Sequence, residues 1–113
     1  METLHGYVYI LTNKNNTTLY VGVTRDLERR IAEHKQHINN GFSTKYNTVK
    51  LVYYEDYDRL EDAIYQEKQL KNWHRAWKEK LINDFNPKWE DLAEIEEDSL
   101  FEIFNYEIYK KSD

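Results

Sequence analysis

The sequence predicts an α+β fold, and three observations carry the prediction. Two short runs rich in β-branched and aromatic residues, GYVYIL at 6–11 and TLYVGV at 18–23, flank the turn-forming segment TNKNNT, the pattern of an antiparallel hairpin. A third run of the same character, VKLVYYEDY, follows at 49–57. Between and after these runs, apolar residues recur at the three- and four-residue spacing of helices. At 113 residues the chain suits one domain around one core.

Each element has its own signal. In the first strand Tyr7, Tyr9 and Leu11 share one face and Val8 and Ile10 the other; in the second, Tyr20 and Gly22 oppose Leu19, Val21 and Val23, so Tyr9 and Tyr20 are expected as cross-strand neighbours. Asp26 is a good N-cap for a helix carrying Leu27, Ile31, His34 and Ile38, which runs to about Asn39 before Gly41. After the third strand, Leu60, Ala63, Ile64, Glu67 and Leu70 mark a helix over 59–73, and Trp73, Trp77, Leu81 and Ile82 continue into another that Pro87 stops. The chain divides into residues 1–89 and an acidic C-terminal extension, 90–113, whose apolar content predicts a helix over 99–110 that packs on the domain or forms a homodimer.

The net charge of −5 argues at first against a nucleic-acid partner. Residues 1–89 hold 14 Lys+Arg against 12 Asp+Glu, a net of +2, whereas residues 90–113 hold 2 against 9, a net of −7. The acidity therefore belongs to the tail, and Arg25, Arg29, Arg30 and Lys35 cluster around one predicted helix. A mean hydropathy of −0.95 and short apolar runs give no expectation of a membrane partner, and the absence of cysteine suggests a cytoplasmic protein without disulfides or thiolate metal sites.

Glu67 is the most informative position, because its carboxylate falls within an apolar helical stripe, an expensive place for a charge unless it is paired or binds a cation. Read from the pattern alone, a boundary carboxylate paired with Lys68 or Lys71 comes first. Arg30 and His34, four apart, project from one helix face; an arginine fork suits phosphate, and a histidine beside it either binds phosphate, moves a proton or packs at the core boundary. For Arg25 and Arg29 a solvated basic face is the plainer reading. Most of the ten tyrosines read as half-buried packing residues with the hydroxyl reaching water, while a phenol beside an arginine can have its pKa lowered and serve as a base or position a nucleophile. His5, His37 and His74 show no metal-ligand spacing. Gly22, inside a strand, marks a close approach by a ligand or another part of the chain.

YVY at 7–9, YVG at 20–22, then Arg30 and later Glu67 resemble the GIY-YIG nuclease family, above all its small single-domain, excinuclease C-like bacterial members. YVGVTRDLERRIAEHK, KYNTVKLVYYE, AIYQEKQLKNW and NPKWEDL carry the likeness in order over residues 6–92. The first motif has Tyr7 and Val8 in place of glycine and isoleucine, and Val23 stands where excinuclease C carries lysine.

The resemblance implies a three-stranded antiparallel sheet flanked by helices and a metal-dependent DNA endonuclease of repair or recombination. It assigns catalytic roles to Tyr9, Tyr20, Arg30, His34 and Glu67, with Glu67 holding Mg²⁺ or Mn²⁺, which displaces the plainer reading of that residue. Gly22, Arg25, Arg29, Lys35, Lys45 and Asn86 are the expected nucleic-acid contacts. Tyr9 first and Tyr20 second would orient or deprotonate the attacking water. Two other functions fit the sequence: a catalytically silent nucleic-acid-binding module on the same scaffold, and an interaction protein acting through its acidic tail.

Overall fold

Asn13 organises the first turn. Its Oδ1 accepts from the backbone N–H groups of Thr17 and Thr18 at 2.8 and 3.1 Å, and the Asn16 N–H donates to the Asn13 carbonyl at 3.0 Å. Asn16 takes a φ of 57°, a left-handed conformation that asparagine tolerates. The turn joins β1 (Gly6–Thr12) to β2 (Leu19–Thr24), which pair antiparallel from Tyr7↔Thr24 to Thr12↔Leu19. This computed structural model describes residues 4–36 and 48–93; Lys45 and the helix expected over 99–110 lie outside the described residues.

Helix α1 (Leu27–Lys35) starts at Asp26, whose carboxylate accepts from the Arg29 N–H at 3.2 Å and satisfies one of the orphan donors of the first turn. Strand β3 (Lys50–Tyr57) pairs antiparallel with the other edge of β1, so the sheet order is β2-β1-β3. With β1 in the centre and β2 at an edge, Val8 to Thr12 are wholly buried, while Leu19 and Tyr20 are only half-buried. A register shift between Ile10 and Leu11 places Val52 and Tyr53 together on one side of β3.

Helix α2 (Leu60–Asn72) carries Glu61 and Asp62 in its first turn, where acidic side chains suit the helix dipole, and α3 (Arg75–Phe85) ends just before Pro87. The two faces of the sheet are buried by different helices. Val8, Ile10, Val21 and Val52 pack against Ala63 and Leu70 of α2 and Ile82 of α3. Tyr9, Leu11 and Leu51, with Tyr20 at the margin, pack against Ile31 of α1. Full burial of Leu70 or Ile82 contributes about 1.5–3 kcal/mol each, which is what anchors the α2 and α3 side. Gly6 lets α2 approach β1, since a Cβ there would stand 2.8 Å from the Ala63 Cβ.

The fold is thus the three-stranded antiparallel sheet flanked by helices that the sequence leads one to expect. Tyr9 and Tyr20 meet across the strands, as their shared face leads one to expect, on a diagonal. Tyr9 pairs with Gly22 and Leu11 with Tyr20, so the two tyrosines are diagonal neighbours with ring centroids 6.2 Å apart. Residues just past Trp89 are tied to the sheet: the Leu92 N–H donates to the Leu51 carbonyl at 2.7 Å, and the Leu51 N–H donates to Asp91 Oδ1 at 3.1 Å. The outer edge of β3 is capped there rather than left open.

Candidate active site

The site grows from the pairing of Tyr9 with Gly22. A Cβ at position 22 would collide with Cζ and the hydroxyl oxygen of Tyr9 and come within 2.9 Å of its Cε1. Glycine is therefore what lets the Tyr9 ring lie across β2, and the group that approaches is the tyrosine itself. Its hydroxyl lies 3.1 Å from His34 Nε2 and accepts from Arg30 Nε at 3.4 Å, both residues coming from the face of α1 turned to the sheet. Tyr20 completes the group, with its ring 5.3 Å from that of His34 and its hydroxyl hydrogen-bonded to Tyr9 and Arg30.

Burial sorts these groups by role. Tyr9 is 0% exposed and His34 4%, so neither offers a surface to a large substrate, whereas Tyr20 is half-buried and the Arg30 side chain is 35% exposed. The expectation of an acidified phenol is not met at Tyr9. Burial raises its pKa well above the usual phenol value; the hydrogen bond from Arg30 pulls the other way without offsetting it. Tyr9 stays a neutral hydroxyl at physiological pH. Partial burial opposes the charge on Arg30, but its hydrogen bonds to Tyr9 and Tyr20 outweigh that and keep the guanidinium charged.

Beside this group lies a cleft of about 200 Å³ lined by Val23, Thr24, Asp26, Arg29, Arg30 and Glu33. Val23 also packs against the cluster built on α2, so the end of β2 is where the two faces of the sheet meet. Glu67 projects from α2 within the apolar face, with its side chain 14% exposed and Lys71 Nζ 3.4 Å from its Oε1. Its helix packs on the sheet face opposite α1, and its ion pair among the described residues is with Lys71, not with the tyrosine, arginine and histidine group.

The remaining sequence candidates separate. Arg29 lines the cleft and pairs with Glu33 at 3.0 Å, and Arg25 is exposed at the loop before α1. Lys35 turns away from any ligand: its Nζ donates to the Val49 carbonyl at 2.9 Å and to Asp91 Oδ2 at 2.5 Å, tying α1 to the segment beyond Trp89. Asn86 is 7% exposed and its amide is occupied by backbone, donating to the carbonyls of Val52 and Glu90 and accepting from the Glu90 N–H. It holds the chain after α3 and does not reach the cleft. Glu33 went unremarked in the sequence, although its position four and three residues after Arg29 and Arg30 carries the signal.

The strand–strand–helix arrangement, with a glycine under one tyrosine, a second tyrosine diagonal to it and an arginine from the following helix, defines a nuclease scaffold. Residues 5–80 match the family model described as the GIY-YIG catalytic domain, and the chain belongs to that family. It is similar to a UPF0213 protein of Staphylococcus saprophyticus, 37% identical over 82 residues that span 69% of this chain and 94% of that one. A UPF0213 protein of Clostridium perfringens is 39% identical over 89 residues, covering 75% and 90% of the two chains. The solution structure of a UPF0213 protein from Bacillus halodurans superimposes with a TM-score of 0.51 at 27% identity, over 80% of this chain and 96% of that one. Family membership places the protein's chemistry with nucleases in general terms.

Proposed function

We propose that the protein is a metal-dependent endonuclease that hydrolyses phosphodiester bonds in DNA. The observation that carries the reading is the convergence of Tyr9, Tyr20, Arg30 and His34 on one hydrogen-bond network beside a cleft whose wall presents Arg29 and Arg30. Phosphodiester hydrolysis needs a placed water, a proton acceptor and positive charge where oxygen gains electrons. Tyr20, reachable from solvent, is the hydroxyl suited to orient the water, and Tyr9 beneath it passes hydrogen-bond polarisation between Arg30 and His34. Arg30, held by that network, presents its remaining N–H donors to the phosphoryl oxygens. A neutral, buried Tyr9 is a poor base, and the imidazole of His34, its Nε2 3.1 Å from the Tyr9 hydroxyl, is the network's candidate proton acceptor.

The residues fit a single-carboxylate magnesium site. Among the described residues no three His, Asp or Glu side chains gather into a ligand cluster, and magnesium is content with one or two carboxylates because it keeps most of its waters. Glu67 is such a carboxylate, largely buried and ion-paired among the described residues with the half-exposed Lys71. Bound there, the cation would neutralise charge on the leaving oxygen. Because β2 is an edge strand and Val23 joins the α2 cluster to the cleft, a phosphate lying along that edge is approachable from α1 on one side and α2 on the other.

The test is incubation with labelled linear, flap, junction and single-stranded DNA and RNA in Mg²⁺ or Mn²⁺. The reading expects metal-dependent cuts within at least one DNA substrate, lost in Arg30→Ala. Binding without cleavage across the whole panel would favour a silent nucleic-acid-binding module instead.

A further inference from the structure

The cleft that should receive a phosphate contains two carboxylates, Asp26, which caps α1, and Glu33. Glu33 lies three residues after Arg30 and four after Arg29, so all three share one face of α1. Its Oε2 accepts from Arg30 Nη1 at 3.2 Å and its Oε1 lies 3.0 Å from Arg29 Nε. The carboxylate is more shielded than the cations it bridges, 15% exposed against 33% and 35% for the two arginines. A negative charge in the wall of a polyanion site repels the ligand, and one that merely balanced surface arginines would have no need to sit deeper than they do.

We infer that Glu33 is a positioning residue that aims Arg30 and at the same time weakens ground-state binding of nucleic acid. This rests on the nuclease reading above. Tyr9 holds the guanidinium at Nε, Tyr20 adds a bond from the same side, and Glu33 holds it at Nη1 from the helix, so its plane is set from two directions. Losing the Nη1 anchor loosens the end of the group turned to the cleft. Glu33 also lowers the net charge of the cleft wall, where Arg29 and Arg30 already face Asp26, from +1 to zero. The phosphate is therefore held less tightly in the ground state, while the donors it meets in the transition state are already in place, the condition under which binding energy is expressed as rate.

Two variants test this. Glu33→Gln keeps the volume and removes the charge; Glu33→Asp keeps the charge and shortens the reach. DNA binding is measured without divalent cation at several salt concentrations, and single-turnover cleavage with Mg²⁺. Exchange of the Arg30 Nε–H with solvent is followed by NMR, with backbone amide spectra confirming the fold. Glu33→Gln should bind roughly threefold tighter or more with a salt slope steeper by about one, because an additional cation is free to meet phosphate. Its cleavage should slow on the order of tenfold or more, and the Arg30 Nε–H should exchange faster. Glu33→Asp should bind like the parent and cleave more slowly. Unchanged cleavage and exchange in Glu33→Gln would overturn the inference, as would weaker binding accompanying slower cleavage. If the parent protein cleaves nothing, the nuclease reading fails while the exchange and binding measurements still judge what Glu33 does to Arg30.

Discussion

Replacing Gly22 with alanine isolates the contact on which the site is built. The new methyl group would collide with the Cζ and hydroxyl of Tyr9, which is fully buried and cannot swing away, with Leu11, Leu51 and Ile31 packed around it. Overpacking of this kind costs about 1–3 kcal/mol. Against it stands a gain of about 0.4–1 kcal/mol from the smaller entropy of an unfolded chain with alanine in place of glycine. The net is a loss of roughly 1–2 kcal/mol, a fall in melting temperature of roughly 4–8 °C for a domain of this size. The assay is urea and thermal unfolding of Gly22→Ala in the parent and in a Tyr9→Leu background. Removing the ring should remove most of the penalty, giving a coupling of about 1 kcal/mol or more. A neutral or stabilising Gly22→Ala, or a penalty unchanged without the tyrosine, would refute the claim that Gly22 exists to seat Tyr9.

Arg30→Ala should lower cleavage on the order of 100-fold or more while costing about 1 kcal/mol in stability, because Tyr9 and Glu33 each lose a hydrogen-bond partner; single-turnover rates and urea unfolding measure the two. Asp91→Ala should destabilise by about 1–3 kcal/mol, since it strands the Lys35 ammonium and frees the β3 edge, which places residues 90–93 within the folding unit; denaturation midpoints check this. Stability should hold steady through neutral pH and fall as pH rises above about 10, the ordinary tyrosine value. Burial raises the folded pKa of Tyr9, Tyr53 and Tyr57, the last to about 12, so the unfolded chain releases these protons first. Tyr9→Phe should flatten that decline in urea titrations from pH 8 to 11. Removing residues 94–113 should tighten DNA binding and steepen its salt dependence if the acidic tail competes for Arg29 and Arg30 of the cleft; identical slopes would leave it no such role.

Much of the fold was legible because local chemistry and tertiary packing agree. Asn13 closes the hairpin that TNKNNT announces, Asp26 caps α1 where its position suggests, and α3 ends before Pro87. Alternation in β1 and β2 correctly divided the residues facing α1 from those facing α2. What was not legible was register and depth. Tyr9 and Tyr20 look equivalent in the sequence, yet the pairing of Tyr9 with glycine sends one ring into the core and leaves the other half exposed. Burial outweighed the lowering effect of Arg30 on the Tyr9 phenol, because desolvation depends on packing that no spacing rule reports. Lys35 and Asn86 read as polar residues available to a ligand, but their partners, Asp91 and the backbone of Val52 and Glu90, are 56, 34 and 4 residues away.

The most direct measurement is single-turnover cleavage of one labelled DNA substrate by the parent protein and by Tyr20→Phe, Arg30→Ala and Glu67→Ala side by side, with and without Mg²⁺. Cleavage by the parent should require the cation and should fall on the order of 100-fold or more in Arg30→Ala and Glu67→Ala, with thermal melts showing all three variants folded. Parent-level cleavage in Glu67→Ala, or cation-independent cleavage by the parent, would contradict the metal-dependent reading.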